Sequence, residues 1–364
     1  SCLVGSEMCI RDRIWKSVRA LERRPVALVL GCGFPCRELS GVNQSRQGLH
    51  HGQTALFYDA KKLFQSLVNK REDSDPPLRV IFENAQSMPD DDQSEITREL
   101  RSVDPSVECV GVDSATVSHC RRPRYWWTNW YVQRFDSEAE VTRKGVRHVY
   151  PWLELDPVDS VLEGGYKSAL HIKSPDLKYH TFTRCRPFKA EPPKPTGKAT
   201  ATTQALERWA KDQWRYSPYQ YADELLVWKG TEWRCLNANE RIRMLGFPSQ
   251  YLAVNNSSPE DVRCELAGDA MSVQVLVRIL ATLPEQPGAW PPLKLSCTEN
   301  GLAVEDQYAE DQSSAKANVP SGAVWSVQAD TEAEPHETPA DTDGKDRLWS
   351  IEGQQWITSK QLGR

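Results

Sequence analysis

The 364-residue chain lacks any apolar run approaching the ~20 residues needed to cross a bilayer, so neither a transmembrane helix nor a membrane partner is expected. Its ten cysteines have no paired metal-ligand spacing, Cys32 and Cys36 being too loosely accompanied for zinc, and no metal site is expected. No secretory leader is read, so the expectation is reduced thiols in an intracellular protein. A positive balance is missing as well: the formal net charge is −5, at first sight a poor match to nucleic acid. That charge is concentrated late in the chain, from Glu305 to Asp346, where acids among Ser, Ala and Pro cannot bury enough apolar surface to fold, and 289–364 is read as an acidic, largely disordered tail. Between Lys167 and Lys198 the balance reverses. Lys167, Lys173, Lys178, Arg184, Arg186 and three more lysines face only Asp176 and Glu191, which reads as a basic loop near phosphates, as a Pro-rich exposed linker, or as both. No internal repeat is visible.

What is present begins with the apolar run Val26–Leu30, read as a strand, followed by Gly33-Phe34-Pro35-Cys36. There a tight turn at glycine and a stiff proline would hold a thiol at a strand end. A second apolar run, Leu78–Phe82, ends in Glu83-Asn84, and a third segment carries Arg122-Pro123-Arg124-Tyr125. Singly these have bland readings: a buried small hydrophobe, a strand-end turn, a solvated basic cluster. Their order, each just past a strand-like stretch, is what covalent attack on a pyrimidine ring requires. Helices are expected over 14–24, 54–70, 95–103, 237–245 (stopped by Gly246) and 271–283, with further strands over 107–112 and 125–132. Alternating strands and helices imply an α/β fold, a doubly wound, mostly parallel sheet with sites at the strand ends.

The stretch Pro35-Cys36-Arg37-Glu38-Leu39-Ser40-Gly41-Val42-Asn43, continuing to Arg46 and Gly48-Leu49, resembles the catalytic loop of the DNA cytosine-5 methyltransferases, most of all their eukaryotic de novo (type 3) group. His119-Cys120-Arg121-Arg122-Pro123-Arg124-Tyr125-Trp126-Trp127, the Asn239–Pro248 block ending in Gly246-Phe247-Pro248, and Gly268-Asp269-Ala270-Met271-Ser272-Val273 resemble that group's later motifs, in order. The resemblance implies a Rossmann-like class I methyltransferase fold with a small target-recognition segment. It implies methyl transfer from S-adenosylmethionine to C5 of cytosine in a CpG duplex through a Cys36 adduct, with the base flipped out of double-stranded DNA, in the nucleus.

Under it Cys36 is the nucleophile, Glu83 holds and protonates the ring, and Arg122 and Arg124 fix the base and a phosphate. Glu83, Asn84, Asp269, Met271 and Ser272 would line the cofactor, and Pro35, Ser40, Asn43, Arg46, Asn84, Arg184 and Arg186 the substrate. Five segments follow: 1–13 as a non-native leader, 14–135 catalytic, 136–235 target recognition, 236–288 as helices returning to the catalytic region, and the tail. One departure stands out. The family's Phe-x-Gly-x-Gly loop and ribose-binding acid are expected upstream of the nucleophile, and nothing before Val26 supplies them, so an incomplete chain is expected. Rival readings are an inactive regulatory paralogue that pairs with an active methyltransferase chain, a tRNA cytosine-5 methyltransferase, disfavoured by Leu39–Asn43, and a non-enzymatic Trp-rich chromatin reader built on Trp228, Trp233, Trp325, Trp349 and Trp356.

Overall fold

The computed structural model describes residues 14–22, 25–41, 43, 45–132, 141–149, 155, 157–169, 178–182, 201–248, 251–252 and 259–285, together with the backbone of four short strands beyond them. The leader 1–13, Trp325, Arg184 and Arg186 lie outside the described residues. The chain divides into two units, 1–306 and 307–364. In the second, Arg347–Ser350 pairs antiparallel with Gln355–Thr358, with Trp349 and Trp356 as register partners.

The first unit is built on a six-stranded mixed sheet. Its strands are β1 (Leu28–Gly33), β2 (Leu78–Ala85), β3 (Glu108–Asp113), β4 (Pro123–Thr128), β5 (Val141–Arg143) and β6 (Val146–Val149), in spatial order β1-β2-β4-β3-β6-β5. β1 runs parallel to β2, and β3 to β6, while β4 lies antiparallel between β2 and β3. Two-residue alternation sorts the side chains. Val80 and Phe82 of β2 with Tyr125 and Trp127 of β4 point to one face, where they pack against helices α1 (residues 14–19), α2 (Leu56–Lys70) and α3 (Asp90–Arg101) through Trp15, Phe57, Phe64, Leu67, Ile96 and Leu100. Ile81, Trp126, Val110 and Val112 point to the other. With helices on both faces, this is the α/β architecture that the alternating pattern predicts, of the Rossmann-like kind that the resemblance implies, but mixed rather than mostly parallel, because β4 and β5 run antiparallel to their neighbours.

Of the boundaries that differ from the periodicity, among them the first helix, which ends at 19 rather than 24, and the last, which spans 273–280 rather than 271–283, three have a legible cause. α3 starts at Asp90 rather than 95, because Pro89 precedes it and Asp90, Asp91 and Asp92 complement the dipole of its first turn, whereas apolar spacing begins only at Ile96. β4 spans 123–128 rather than 125–132, its antiparallel register with β2 starting at Arg124 opposite Ala85. β1 runs on to Gly33, in register with Glu83, so Gly31 and Gly33 are strand residues and not the expected turn. The turn comes later, where the Cys36 carbonyl accepts the Leu39 and Ser40 amides at 3.0 and 2.7 Å.

The later chain forms a second core. Strands β7 (Lys167–Ser168), β8 (Val227–Lys229) and β9 (Glu232–Arg234) form a small antiparallel sheet, flanked by helices α4 (Thr203–Lys211), α5 (Ala238–Met244) and α6 (Glu260–Asp269). α4 and α6 are absent from the sequence reading. Helix α7 (Val273–Leu280) returns to the large sheet, seating Val275 and Ile279 on its second face. Of the 236–288 segment, then, α7 packs on the large sheet, while α5 and α6 pack with residues of the 136–235 segment.

Candidate active site

The parallel register of β1 and β2 sets Gly33 beside Glu83, and the Cys36 loop leaves β1 directly after that pair. β4 runs the other way, so its start, with Arg122 and Arg124, comes to the end of the sheet where β1 and β2 finish. Pairing alone therefore gathers the thiol loop, the carboxylate and the two guanidiniums, which are 36 to 124 residues into the chain, at one sheet end.

Each side chain is then fixed by short contacts. Asn84 is buried; its Nδ2 donates to the Phe34 carbonyl at 2.9 Å and its Oδ1 accepts the Ala85 amide at 2.7 Å, so it ties the Cys36 loop to β2. Glu83, 8 % exposed, receives Arg124 Nε at 2.7 Å from Oε1 as an ion pair. Arg122 is 3 % exposed. Its amide donates to Asp113 and its Nη2 donates to the Gly268 carbonyl at 3.1 Å, which binds the β4 start to the end of α6. Its Nε and Nη1 are buried with no hydrogen-bond partner. Burial, and then the like charge of Arg124, push the Arg122 pKa down to about 10, while Glu83, Cys120 and Cys36 act to raise it. The buried Arg122 and the half-buried Arg124 thus lie near the Glu83 carboxylate, which only Arg124 pairs, and two N–H groups of Arg122 are left without a partner among the described residues, within electrostatic reach of Cys36. Such a site suits a ligand with acceptor atoms or developing negative charge.

The neighbouring thiols are insulated. Cys32 is pushed up to about 11 by burial and then by Glu83, and Cys109 to about 12, chiefly by burial. Cys36 itself is half-buried on the loop.

Other site candidates serve the frame. Asn43 Nδ2 donates to the Arg37 carbonyl at 2.9 Å, and Arg46 Nη1 donates to the Leu39 and Ser87 carbonyls at 3.3 and 3.0 Å. Pro35 and Ser40 flank the turn, half-buried. Ser272 caps α7 through the Val275 amide, and its hydroxyl also meets Gln274 at 2.9 Å. Asp269 is exposed at the end of α6. Met271 lies over β1, where a Cβ on Gly33 would stand 2.6 Å from its Cε and 3.6 Å from Glu83 Oε2, so a side chain there would displace the tip of Met271. Asp113 and Ser87 were not singled out in the sequence, and Gly268, which heads the last motif, was given no role, because it acts through a backbone carbonyl that no motif records.

Two further segments are resolved by contacts. His119 and Cys120 lie along Tyr179, with the Tyr179 amide on the His119 carbonyl at 2.9 Å and the Arg121 amide on the Tyr179 carbonyl at 2.8 Å. Glu240, fully buried, caps α5 through Asn237 and holds Arg234 with both oxygens at 2.7 Å, while Arg243 reaches Glu163 at 2.9 Å; the charges of the 239–248 block form a buried frame. Trp228 and Trp233, named for the chromatin-reader reading, each face the Arg208 guanidinium at 5.5 Å, so the chain's own cation occupies their faces.

No family model matches the chain. Among solved structures it is similar to a triple mutant of Spodoptera frugiperda DNMT2 (14 % identity, 69 % of this chain and 78 % of that one, TM-score 0.38). It is also similar to the Entamoeba histolytica methyltransferase EhMeth (12 %, 69 % and 75 %, 0.39) and to the S. pombe Dnmt2 methyltransferase (15 %, 69 % and 76 %, 0.37).

Proposed function

We propose that the chain is a cytosine-5 methyltransferase of nucleic acid that works through a covalent adduct at Cys36. The observation that carries this reading is the meeting of the Cys36 loop, the buried Glu83 carboxylate and the unpartnered Nε and Nη1 of Arg122 at one sheet end. The Cys36 thiolate adds to C6 of the ring, forming a C–S bond and moving an electron pair toward C5. Glu83 holds the N3 edge, and the free N–H groups of Arg122 take the ring oxygen, so charge built up on the ring is met by donors already in place. Once that electron pair has bonded C5 to the donor's methyl group, loss of the C5 proton to solvent restores the C5–C6 double bond as the C6–S bond breaks and the thiolate leaves. Buried at the strand ends, these groups reach only a base taken out of its stack, so flipping is part of the reading.

S-adenosylmethionine is the proposed methyl donor and supplies the electrophilic methyl when bound. The residues assigned to it fit only one side of such a molecule. Asn84 and Ser272 are spent on Phe34 and on the α7 cap, Asp269 is exposed, and the open approach is the strip of Gly31, with nothing within 4 Å of a would-be Cβ, beside Gly33 and Met271. That partial fit favours a second reading, a regulatory relative that pairs with an active chain and does no chemistry.

Duplex DNA, in the nucleus, is the proposed substrate. The residues behind the DNA-type resemblance serve the loop's own shape, since Leu39 is wholly buried and Asn43 bonds within the loop, so the test carries both nucleic acids. The chain is incubated with S-adenosylmethionine and 5-fluorocytosine duplex or 5-fluorocytosine tRNA, then mapped by mass spectrometry. The expected adduct sits on Cys36, forms with the duplex and disappears in Cys36→Ser. An adduct only with tRNA changes the substrate; none with either favours the regulatory reading.

A further inference from the structure

We infer that Ser87 is a positioning residue for Cys36, an inference that rests on Cys36 being the nucleophile. Beyond Glu83-Asn84 the chain turns through Ala85–Met88, with the Met88 amide on the Ala85 carbonyl and the Gln86 amide on the Pro123 carbonyl, both at 3.3 Å. The tip of this turn is Ser87. Its Oγ accepts the Gly41 amide at 3.0 Å, and its carbonyl accepts Arg46 Nη1 at 3.0 Å. The fit is close: a Cβ on Gly41 would stand 3.2 Å from the Ser87 Cβ.

The Cys36 loop is therefore tied on both sides of the thiol to one stretch of chain. Upstream, Asn84 holds Phe34; downstream, Ser87 holds Gly41 and Arg46. Between the ties the loop folds on itself, with the Cys36 carbonyl taking two amides and the Glu38 carbonyl taking the Gly48 amide at 2.9 Å. Since Glu83 begins the same stretch, segment 83–87 sets thiol against carboxylate. Leu39 is buried, the Leu49 amide donates to Asp92 at 3.1 Å and Arg46 keeps its bond to the Ser87 main chain, so loss of the Ser87 hydroxyl frees the Gly41 end of the turn, and with it the seat of the sulfur, without releasing the whole loop. Ser87 touches no reacting atom; it acts through the loop.

The test uses the whole chain as Ser87→Ala and Ser87→Thr. Two rates are read: alkylation of Cys36 by iodoacetamide, mapped by mass spectrometry with Cys32 and Cys109 as internal references, and hydrogen exchange of the Gly41 amide. In Ser87→Ala both rise about two- to tenfold, the range open to one exposed hydrogen bond. In Ser87→Thr, which keeps the hydroxyl, both stay at the wild-type value, and the melting temperature is the same in all three. Unchanged rates in Ser87→Ala overturn the inference, as does an equal rise at Cys32 and Cys109, which is general loosening. Capture of 5-fluorocytosine duplex by the wild-type chain is scored separately. If the rates respond but nothing is captured, the tie stands and the nucleophile reading falls; if capture occurs and the rates do not respond, only the tie falls.

Discussion

Glu83 is at once a partner of Arg124 and a neighbour of Cys32, so one substitution reads both relations. Glu83→Gln keeps the shape and the hydrogen-bonding reach but removes the charge and the acid. Capture of 5-fluorocytosine substrate by Cys36 is expected to slow by roughly the 10²–10⁴-fold typical of a lost general acid, with nucleic-acid binding little changed. The same variant removes the second cause of the high Cys32 pKa, so alkylation of Cys32 should set in at lower pH than in the wild type. Equal losses of binding and capture would show Glu83 to be part of the frame.

At the scale of elements, the first helix is held to the sheet by Trp15, whose Nε1 donates to the Leu67 carbonyl at 3.0 Å, and by Arg19, which reaches Asp75 at 2.8 and 2.6 Å. Arg19, by its hydrogen bond, holds the Asp75 carboxyl at about 2, below the ordinary 3.8, against the effect of burial. A folded pKa below the unfolded one means that this tie stabilises fully above 3.8 and is lost as pH falls through about 2. Pepsin cleavage within residues 14–22 should therefore increase from pH 4 to pH 2 in the wild type, whereas Asp75→Asn should be cut similarly at both. The elements also show how far the sequence is legible. β2 was readable as an apolar run and α2 from the helical spacing of Ala60, Leu63, Phe64 and Leu67, which all pack in the core, whereas Leu56, also in that spacing, is exposed and Phe57 takes the buried place. α6 was not: Val262 and Leu266 are exposed, so its apolar residues mark no single face. The motif residues Cys36, Glu83, Arg122 and Arg124 were legible by type and order, but the pairing that gathers them needs β4 reversed between β2 and β3, which no local pattern states.

At the scale of the whole molecule, β1 has β2 on one side and no strand on the other among the described residues, and Val29 is 38 % exposed. The open strip at Gly31 lies on this same strand. A sulfonium nucleoside placed there would meet Met271 and Gly33 but no second wall among the described residues, so calorimetric titration of the purified chain with S-adenosylmethionine is expected to show binding weaker than micromolar, and the capture experiments are run with donor in large excess. Micromolar binding with tritium transfer to a CpG duplex that depends on Cys36 would show that the chain completes its own pocket. An uncharged edge strand of six residues also offers backbone groups to another strand.

Three side chains that assemble the site share a chemical asymmetry. Asn84 donates to the Phe34 carbonyl, Arg122 to the Gly268 carbonyl, and Arg46 to the Leu39 and Ser87 carbonyls. In these a side chain gives and a backbone receives, the reverse of the Gly41 amide on Ser87 Oγ and the Arg122 amide on Asp113. A main-chain oxygen survives any replacement of the residue that bears it, so at these ties hydrogen bonding alone leaves the receiving positions free to drift, whereas each giving position is bound to its amide or guanidinium. Mutational tolerance at these ties is thus divided by direction of donation and not by distance from the thiol.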